Sequence, residues 1–162
     1  MVGEVEVYLG LGSNIGDRKS YIDKALAMLD AQDGIHVDAV SDVIETKPWG
    51  FVSDSYFMNC AARVYVDETI SPNDLLNLCK DVERELGRKE NVEFDASGKR
   101  IYHSREIDID ILFYGTQKLD TEELKIPHPL MASRDFVMIP LRQIVSKKIA
   151  EAFPEIFCVG KI

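Results

Sequence analysis

The chain has 162 residues, of which 46% are hydrophobic, 29% charged and 9% aromatic. This length predicts one domain, 1–162, and the composition excludes a disordered or low-complexity chain. The net charge of −9 argues against a protein that binds nucleic acid through general attraction to phosphate, although a local cluster of arginines can still hold a nucleotide.

The cysteines are Cys60, Cys79 and Cys158, and no two of them have CxxC spacing. We interpret them as reduced thiols of a cytoplasmic protein rather than as a disulfide framework or a zinc site. The acidic N-terminus does not resemble a signal peptide, and no apolar run approaches the roughly 20 residues of a membrane span. We therefore expect a soluble, cytoplasmic protein without a membrane partner. The lack of an exposed apolar stripe favours a monomer.

Strands and helices alternate in the first part of the chain. A strand over 5–11 leads into a glycine-rich turn over 12–18, which has neither the Lys-Ser/Thr ending of a P-loop nor a full GxGxxG pattern. A helix at about 19–29, capped by Asp17, precedes a second strand over 35–44. The loop that follows contains Trp49, and it fits either a lid over a ligand or a hydrophobic plug over the core.

A third strand over 57–66 contains Asn59 among apolar residues. A buried amide must find hydrogen-bond partners, either at the edge of a flat heterocycle or on the backbone. The next helix begins with Ser71 as N-cap and Pro72 at its first position, and Gly87 ends it. Lys80 and Glu83 share one face of this helix, where an ordinary ion pair would also explain them.

Residues 88–104 form a long polar loop whose arginine and aromatic content favours a functional lid over a disordered insertion. Lys118 to Pro127 is expected to return as a further strand or an edge strand, and the sequence then places His128 between two prolines. The remainder predicts short helices that are broken at Pro140 and Pro154.

The most informative stretch is the strand predicted from Arg105 to Tyr114. Its alternation directs three isoleucines towards one face and Glu106, Asp108 and Asp110 towards the other. Carboxylates two residues apart can converge on one or two hard cations such as Mg²⁺. A bare Asp-x-Asp is more often the solvated acidic face of an antiparallel strand. The cationic side chains nearby favour phosphate bound between them; these are Arg88, Arg100, His103, Arg105, His128 and Arg134.

Taken together, these segments resemble the 6-hydroxymethyl-7,8-dihydropterin pyrophosphokinases of folate biosynthesis. The matching motifs stand in family order: Gly12-Ser13-Asn14, Thr46-x-Pro48-x-Gly50, Phe57-Met58-Asn59, Glu83-x-x-x-Gly87-Arg88, Arg105-x-Ile107-Asp108-Ile109-Asp110-Ile111, and Ile126-Pro127-His128-Pro129 with Arg134 and Phe136. The resemblance implies an α/β (α+β) fold, a three-layer αβα sandwich around a ferredoxin-like, mainly antiparallel sheet.

The resemblance also implies transfer of an intact pyrophosphoryl group from ATP to the hydroxymethyl oxygen of the pterin, with release of AMP. Asp108 and Asp110 would then hold two magnesium ions, and these carboxylates together with Arg88 and Arg105 would form the catalytic set. The residues implied to bind ATP are Lys80, Glu83, Arg88, Arg100, Arg105, Ile111, His128 and Arg134. Those implied to bind the pterin are Thr46, Lys47, Trp49, Phe57, Asn59, Tyr102 and Phe136.

The chain departs from the family pattern at several positions. Tyr102-His103-Ser104 stands where many relatives have Trp-Gly-Pro, and Lys80 stands where Gln is frequent. Lys47 replaces a frequent Pro, and either Lys99 or Arg100 could supply the second cation of the lid.

Two other functions remain open at the level of the sequence. A magnesium-dependent nucleotide phosphohydrolase or phosphotransferase could use the same pair of aspartates, but it would leave the environment of Asn59 unexplained. A regulatory module would bind ATP without consuming it in the presence of pterin.

Overall fold

The computed structural model describes residues 3–13, 17–46, 57–87, 93–94, 96–97, 100–101 and 107–157. The strands are β1 (Glu4–Ser13), β2 (Ile35–Val40), β3 (Ile44–Thr46), β4 (Phe57–Asp67), β5 (Glu93–Phe94), β6 (Arg100–Ile101), β7 (Asp108–Tyr114), β8 (Leu119–Asp120) and β9 (Lys125–Ile126). The helices are α1 (Arg18–Asp30), α2 (Pro72–Glu85), α3 (Asp135–Ile144), α4 (Lys147–Ala152) and α5 (Pro154–Phe157), with a 3-10 turn at Met131–Ser133. In the described ranges, no helix is long and apolar enough to cross a membrane.

The main sheet has the order β2-β4-β1-β7, and β3 also pairs with β4. Each of these pairings is antiparallel. With β3 left aside, this is the strand order of a ferredoxin-like sheet, which confirms the predicted fold class. Two short hairpins, β5-β6 and β8-β9, lie outside the main sheet.

Helices cover both faces of the sheet and produce two cores. Alternate residues of β1 and β4 pack with α1 and α2 on one face, where the buried residues include Leu9, Leu29 and Leu75. The other face packs α3 and α4 against Tyr8 and Phe113. The order is therefore helices, sheet, helices. Each fully buried large apolar side chain contributes about 1.5–3 kcal/mol relative to an exposed one.

A β-bulge at Leu112 changes which face of the sheet the strand β7 serves. Tyr8 lies opposite Phe113 and Leu9 lies opposite Ile111, so Leu112 is the extra residue. Before the bulge, Ile109 and Ile111 face the α1/α2 core. After it, Phe113 faces the α3/α4 core. The alternation predicted for Ile107, Ile109 and Ile111 is confirmed, but it does not continue to the end of the strand.

The structure corrects two predicted strand boundaries. The strand expected over 35–44 is divided into β2 and β3, because the hydroxyl of Ser41 accepts a hydrogen bond from the backbone N–H of Ala61 and so interrupts the regular ladder. The first strand continues through Gly12 to Ser13, where a turn was expected. The long loop over 88–104 contains the β5-β6 pairing.

The expected break at Pro140 is also wrong. Pro140 lies inside α3 and is buried, together with Met138 and Leu141. A proline in a helix removes one backbone hydrogen bond, and apolar burial against the sheet offsets that loss. Pro154 does begin a new helix, α5, as the sequence suggested.

Candidate active site

Asp108 and Asp110 lie on the same face of β7, and both are half-buried. Asp108 pairs with Gly12 of β1 and Asp110 pairs with Gly10. Since paired residues on neighbouring strands project to the same face, the glycines leave no side chain beside either carboxylate. The intervening Ile109 faces the opposite core. The two carboxylates therefore occupy one surface at the roughly 6.5–7 Å backbone spacing of a strand.

Asn59 lies on this same face, one strand further across the sheet. It pairs with Gly12, which in turn pairs with Asp108, so the three residues form one row across β4, β1 and β7. The side chain of Asn59 reaches over Gly12, where an added Cβ would be 2.7 Å from its Oδ1. Asn59 is buried, and Phe57 beside it is half-buried. An amide and an aromatic ring therefore lie on the same face of the sheet as the carboxylate of Asp108, with only β1 between them.

His128 approaches the site from the segment after β9. Its backbone N–H donates to the carbonyl of Leu112 over 3.1 Å, next to the bulge of β7. Its Nδ1 accepts a hydrogen bond from the N–H of Leu130 over 3.3 Å. The neutral ring therefore carries its proton on Nε2, which leaves that nitrogen as the donor.

Burial lowers the pKa of His128, and the nearby Arg134 guanidinium lowers it further. The carboxylate of Asp108 acts in the opposite direction, but it is the weakest of the three influences. These electrostatic influences show that His128, Arg134 and Asp108 share one neighbourhood. Burial favours the neutral imidazole because the charged form loses its hydration.

Arg134 and Phe136 stand together at the start of α3. The guanidinium carbon of Arg134 is 5.6 Å from the centroid of the Phe136 ring. Such cation–π contacts contribute about 0.5–1 kcal/mol at exposed sites. Both side chains are half-buried. Arg134, which is predicted to bind the nucleotide, therefore contacts Phe136, which is predicted to bind the pterin.

Glu83 of α2 is buried, with 3% of its surface exposed. Its Oε2 accepts a hydrogen bond from the backbone N–H of Ile109 over 2.8 Å. Lys80, on the same helix, is exposed. The side chain of Ile111 is buried in the α1/α2 core, so only its backbone is available to a ligand.

Several predicted site residues lie outside the described residues: Lys47, Trp49, Arg88, Tyr102 and Arg105. Thr46 ends β3 opposite Phe57, and Arg100 begins β6. Among the residues that the structure describes, no group of three or more His, Cys, Asp or Glu side chains is arranged to hold a metal ion. Two carboxylates alone would leave most of the coordination of a cation to a ligand or to water.

Sequence reasoning missed the role of the two glycines of β1. Gly12 was interpreted as part of a turn, and Gly10 as an ordinary strand position. Their spacing of two, on either side of Leu11, was the available signal. Glycines on one face of a strand allow close approach from that side.

Comparison with known proteins decides the family. Residues 8–146 match the model of the family described as 7,8-dihydro-6-hydroxymethylpterin-pyrophosphokinase. The chain belongs to this family. The match includes both aspartates, Asn59 and Arg134.

Relatives in several bacteria support this assignment. A 2-amino-4-hydroxy-6-hydroxymethyldihydropteridine pyrophosphokinase of Aquifex aeolicus is 42% identical over 138 residues, which are 85% of this chain and 79% of the relative. The enzyme of the same name from Bacillus subtilis is 37% identical over 145 residues, 90% of this chain and 81% of the relative. A Porphyromonas gingivalis enzyme of that name is 43% identical over 139 residues, 85% of this chain and 89% of the relative.

Solved structures agree on the fold. A crystal structure of HPPK-DHPS in complex with substrates superimposes with a TM-score of 0.61 at 14% identity and covers 94% of this chain. A Plasmodium falciparum HPPK-DHPS gives a TM-score of 0.62, also at 14% identity, and covers 96% of this chain. This chain spans 43% and 44% of those two longer proteins. At 14% identity, this similarity shows the fold alone.

Proposed function

We propose that the face of β7 with Asp108 and Asp110 binds the metal-bound triphosphate of ATP, and that Asn59 of β4, on the far side of β1, binds the pterin. As a member of its family, the protein transfers pyrophosphate from ATP to the hydroxymethyl group of 6-hydroxymethyl-7,8-dihydropterin and releases AMP, a step of tetrahydrofolate biosynthesis. The observation that carries the proposed site is the row of Asp108, Gly12 and Asn59 across three strands.

The aspartates fit Mg²⁺ by their chemistry. Both offer hard oxygen ligands, both are partly accessible, and the glycines opposite carry no side chain. In this proposal Asp108 and Asp110 would hold two Mg²⁺ ions. When bound, the cations neutralise negative charge on the phosphates.

The cationic residues surround the same phosphates. His128 donates from Nε2, because its Nδ1 is occupied by the N–H of Leu130. Arg134 adds a permanent positive charge from the start of α3. Arg88, Arg100 and Arg105 complete this set in the proposal. The assignment of Lys80 and Glu83 of α2 to the nucleotide is supported by the family motifs alone.

The pterin is expected to lie over the first residues of β4, from Phe57 to Asn59. Phe57 and Phe136 would stack on its faces, and Asn59 would bond to its polar edge. Thr46 ends the neighbouring strand beside Phe57, which supports its role in the same pocket. Lys47, Trp49 and Tyr102 belong to the proposed pocket by their positions in the family motifs.

Catalysis depends mainly on how the protein positions the two substrates. The hydroxymethyl oxygen attacks the β-phosphorus and forms a new O–P bond. The bond between the β-phosphorus and the oxygen that bridges it to the α-phosphate breaks. The hydroxyl proton is released, and AMP departs with that bridging oxygen. Alignment of the two substrates and neutralisation of charge account for most of the acceleration.

The direct test is product analysis. The purified protein would be incubated with Mg²⁺, ATP and 6-hydroxymethyl-7,8-dihydropterin, and the nucleotides separated by chromatography. Pterin-dependent AMP without matching ADP is the expected result. ADP, or hydrolysis of ATP without pterin, would instead indicate another magnesium-dependent phosphotransferase or phosphohydrolase. ATP binding without turnover would indicate a regulatory module.

Other expectations remain part of the proposal. The net charge of −9 supports small-molecule substrates rather than a nucleic-acid partner. The three cysteines, which have no CxxC spacing, support a location in the reducing cytoplasm. We expect a monomer in which residues 1–162 act as a single pyrophosphokinase domain.

A further inference from the structure

The outer edge of β7 contains a backbone amide that needs a partner. Along a strand, successive N–H groups point to opposite edges. On one edge β7 pairs with β1, from Asp108 opposite Gly12 to Asp110 opposite Gly10. The N–H of Ile109, between the two aspartates, instead bonds to a side chain of α2. A buried N–H without an acceptor would cost about 1–3 kcal/mol.

Glu83 supplies that acceptor. Its Oε2 is 2.8 Å from the nitrogen of Ile109, and the side chain is 3% exposed. A hydrogen bond to a charged acceptor is stronger than a neutral one, particularly where water is excluded. The carboxylate therefore bonds to the backbone midway between Asp108 and Asp110.

The helix α2 holds the backbone of Glu83 in a fixed position. Ser71 and Asp74 form a reciprocal capping box at the start of α2. Cys79 and Val82, one turn before Glu83 and immediately before it, are buried in the α1/α2 core. The carboxylate is thus held by a packed helix rather than by a loop, which favours a reproducible position for Ile109.

We infer that Glu83 is a positioning residue that fixes the backbone of the Asp108-Ile109-Asp110 segment, and that this is its main contribution to the reaction. This inference rests on the proposed role of the two aspartates as Mg²⁺ ligands. It differs from a direct contact between Glu83 and the nucleotide, which the family resemblance implies. Partners that orient metal ligands typically contribute 10–100-fold to metal affinity or activity.

The test compares Glu83→Ala and Glu83→Gln, with Glu85→Ala as the control because Glu85 is an exposed carboxylate on the same helix. Gln keeps an oxygen acceptor for the Ile109 N–H, whereas Ala removes it. Amide hydrogen exchange of Ile109 would be followed by NMR. Activity would be measured against free Mg²⁺ at saturating MgATP, and separately against ATP.

For Glu83→Ala we expect exchange of the Ile109 amide to be at least about tenfold faster and the Mg²⁺ concentration for half-maximal activity to be about 10–100-fold higher. Glu83→Gln, which keeps an oxygen acceptor, should restore most of the protection of the Ile109 amide and of the Mg²⁺ response that Glu83→Ala loses, and Glu85→Ala should match the parent protein.

Two results would overturn the inference. One is an increased KM for ATP in Glu83→Gln with the Ile109 amide still protected, which would assign the charge of Glu83 to the ligand. The other is a normal Mg²⁺ requirement in Glu83→Ala with an unprotected Ile109 amide. If Glu83→Ala does not fold, Glu83→Gln decides alone: a normal Mg²⁺ requirement and a normal KM for ATP support the inference, and a change in either contradicts it.

A failure of the proposed Mg²⁺ site itself would give a different result. If Asp108→Ala retained the Mg²⁺ dependence of the parent protein, the metal site would be wrong. The exchange of the Ile109 amide would still report whether Glu83 holds the strand.

Discussion

The amide oxygen of Asn59 lies so close above Gly12 that a Cβ on residue 12 would be 2.7 Å from it. Real Cβ atoms essentially never approach another atom so closely, so any side chain at position 12 must displace Asn59. The position of the amide therefore depends on the absence of a side chain in the neighbouring strand.

Gly12→Ala should raise the KM for the pterin by about tenfold, the equivalent of one lost hydrogen bond, and change the KM for ATP much less. Steady-state kinetics with each substrate varied separately would measure this. Gly10→Ala is the matched control, because a Cβ there would meet the side chain of Leu112 at an ordinary 3.6 Å. Equal effects of the two variants on the pterin KM would contradict the assignment of Asn59.

Asp108→Ala and Asp110→Ala should each reduce pterin-dependent AMP formation by about a hundredfold or more, because each removes a metal ligand at the site of charge neutralisation. Both residues are partly exposed, so the folded structure should be retained, as judged by circular dichroism and thermal unfolding. Asp120→Ala, at an exposed aspartate of β8, is the control. Normal turnover in Asp108→Ala would refute the proposed metal site.

The unfolding free energy should fall with decreasing pH through the contribution of His128. Burial and Arg134 lower its pKa in the folded protein, and its Nδ1 accepts a hydrogen bond that a protonated ring cannot accept. The unfolded chain therefore binds a proton first as the pH falls below its ordinary pKa of about 6.5. The loss continues until the folded-state pKa, below 6.5, is reached.

Urea unfolding from pH 7.5 to pH 5 would measure this effect. His128→Gln should lose less stability than the parent protein over that range. Parallel curves for the two proteins would contradict a lowered pKa of His128 in the folded protein.

Cys60 and Cys79 should be inert in the folded protein. Burial raises the pKa of each thiol to about 12, so almost no thiolate exists at neutral pH. In a Cys158→Ser variant, a thiol reagent at pH 8 should label no cysteine before unfolding and two after denaturation. Rapid labelling of the native variant would contradict the burial of these cysteines.

Removal of the hydroxyl of Tyr8 should destabilise the packing of α4 on the sheet. This hydroxyl donates to Glu6 over 2.6 Å and accepts from the N–H of Ser146 over 2.9 Å. Tyr8 is fully buried, so Tyr8→Phe should lower the unfolding free energy by about 1–3 kcal/mol. Tyr65→Phe, at a half-buried tyrosine of β4, should change it much less. Equal losses in both variants would argue against a specific contribution of the Tyr8 hydroxyl.

Local patterns predicted much of the fold. The start of α2 follows directly from Ser71 as N-cap and Pro72 at the first helical position, and the alternation around Asp108 predicted its face of the strand. These signals depend on neighbouring residues, so they can be read directly from the sequence. Family motifs then connected segments that are distant in the chain.

Features that depend on tertiary contacts were not predictable in the same way. The partner of Glu83 is a backbone amide 26 residues away, and helix spacing alone favoured Lys80 instead. The division of the second strand depends on Ser41, whose hydroxyl bonds to Ala61 of another strand. The need for glycine at position 12 of β1 becomes evident only from the position of the Asn59 side chain above it.

The bulge at Leu112 divides β7 into two parts whose residues meet different structural requirements. Before it, the residue types are set by the proposed ligands on one face and the α1/α2 core on the other. After it, both faces are set by packing alone. Substitutions that remodel the contact of Phe113 with Phe153 can therefore accumulate without changing the register of the aspartates.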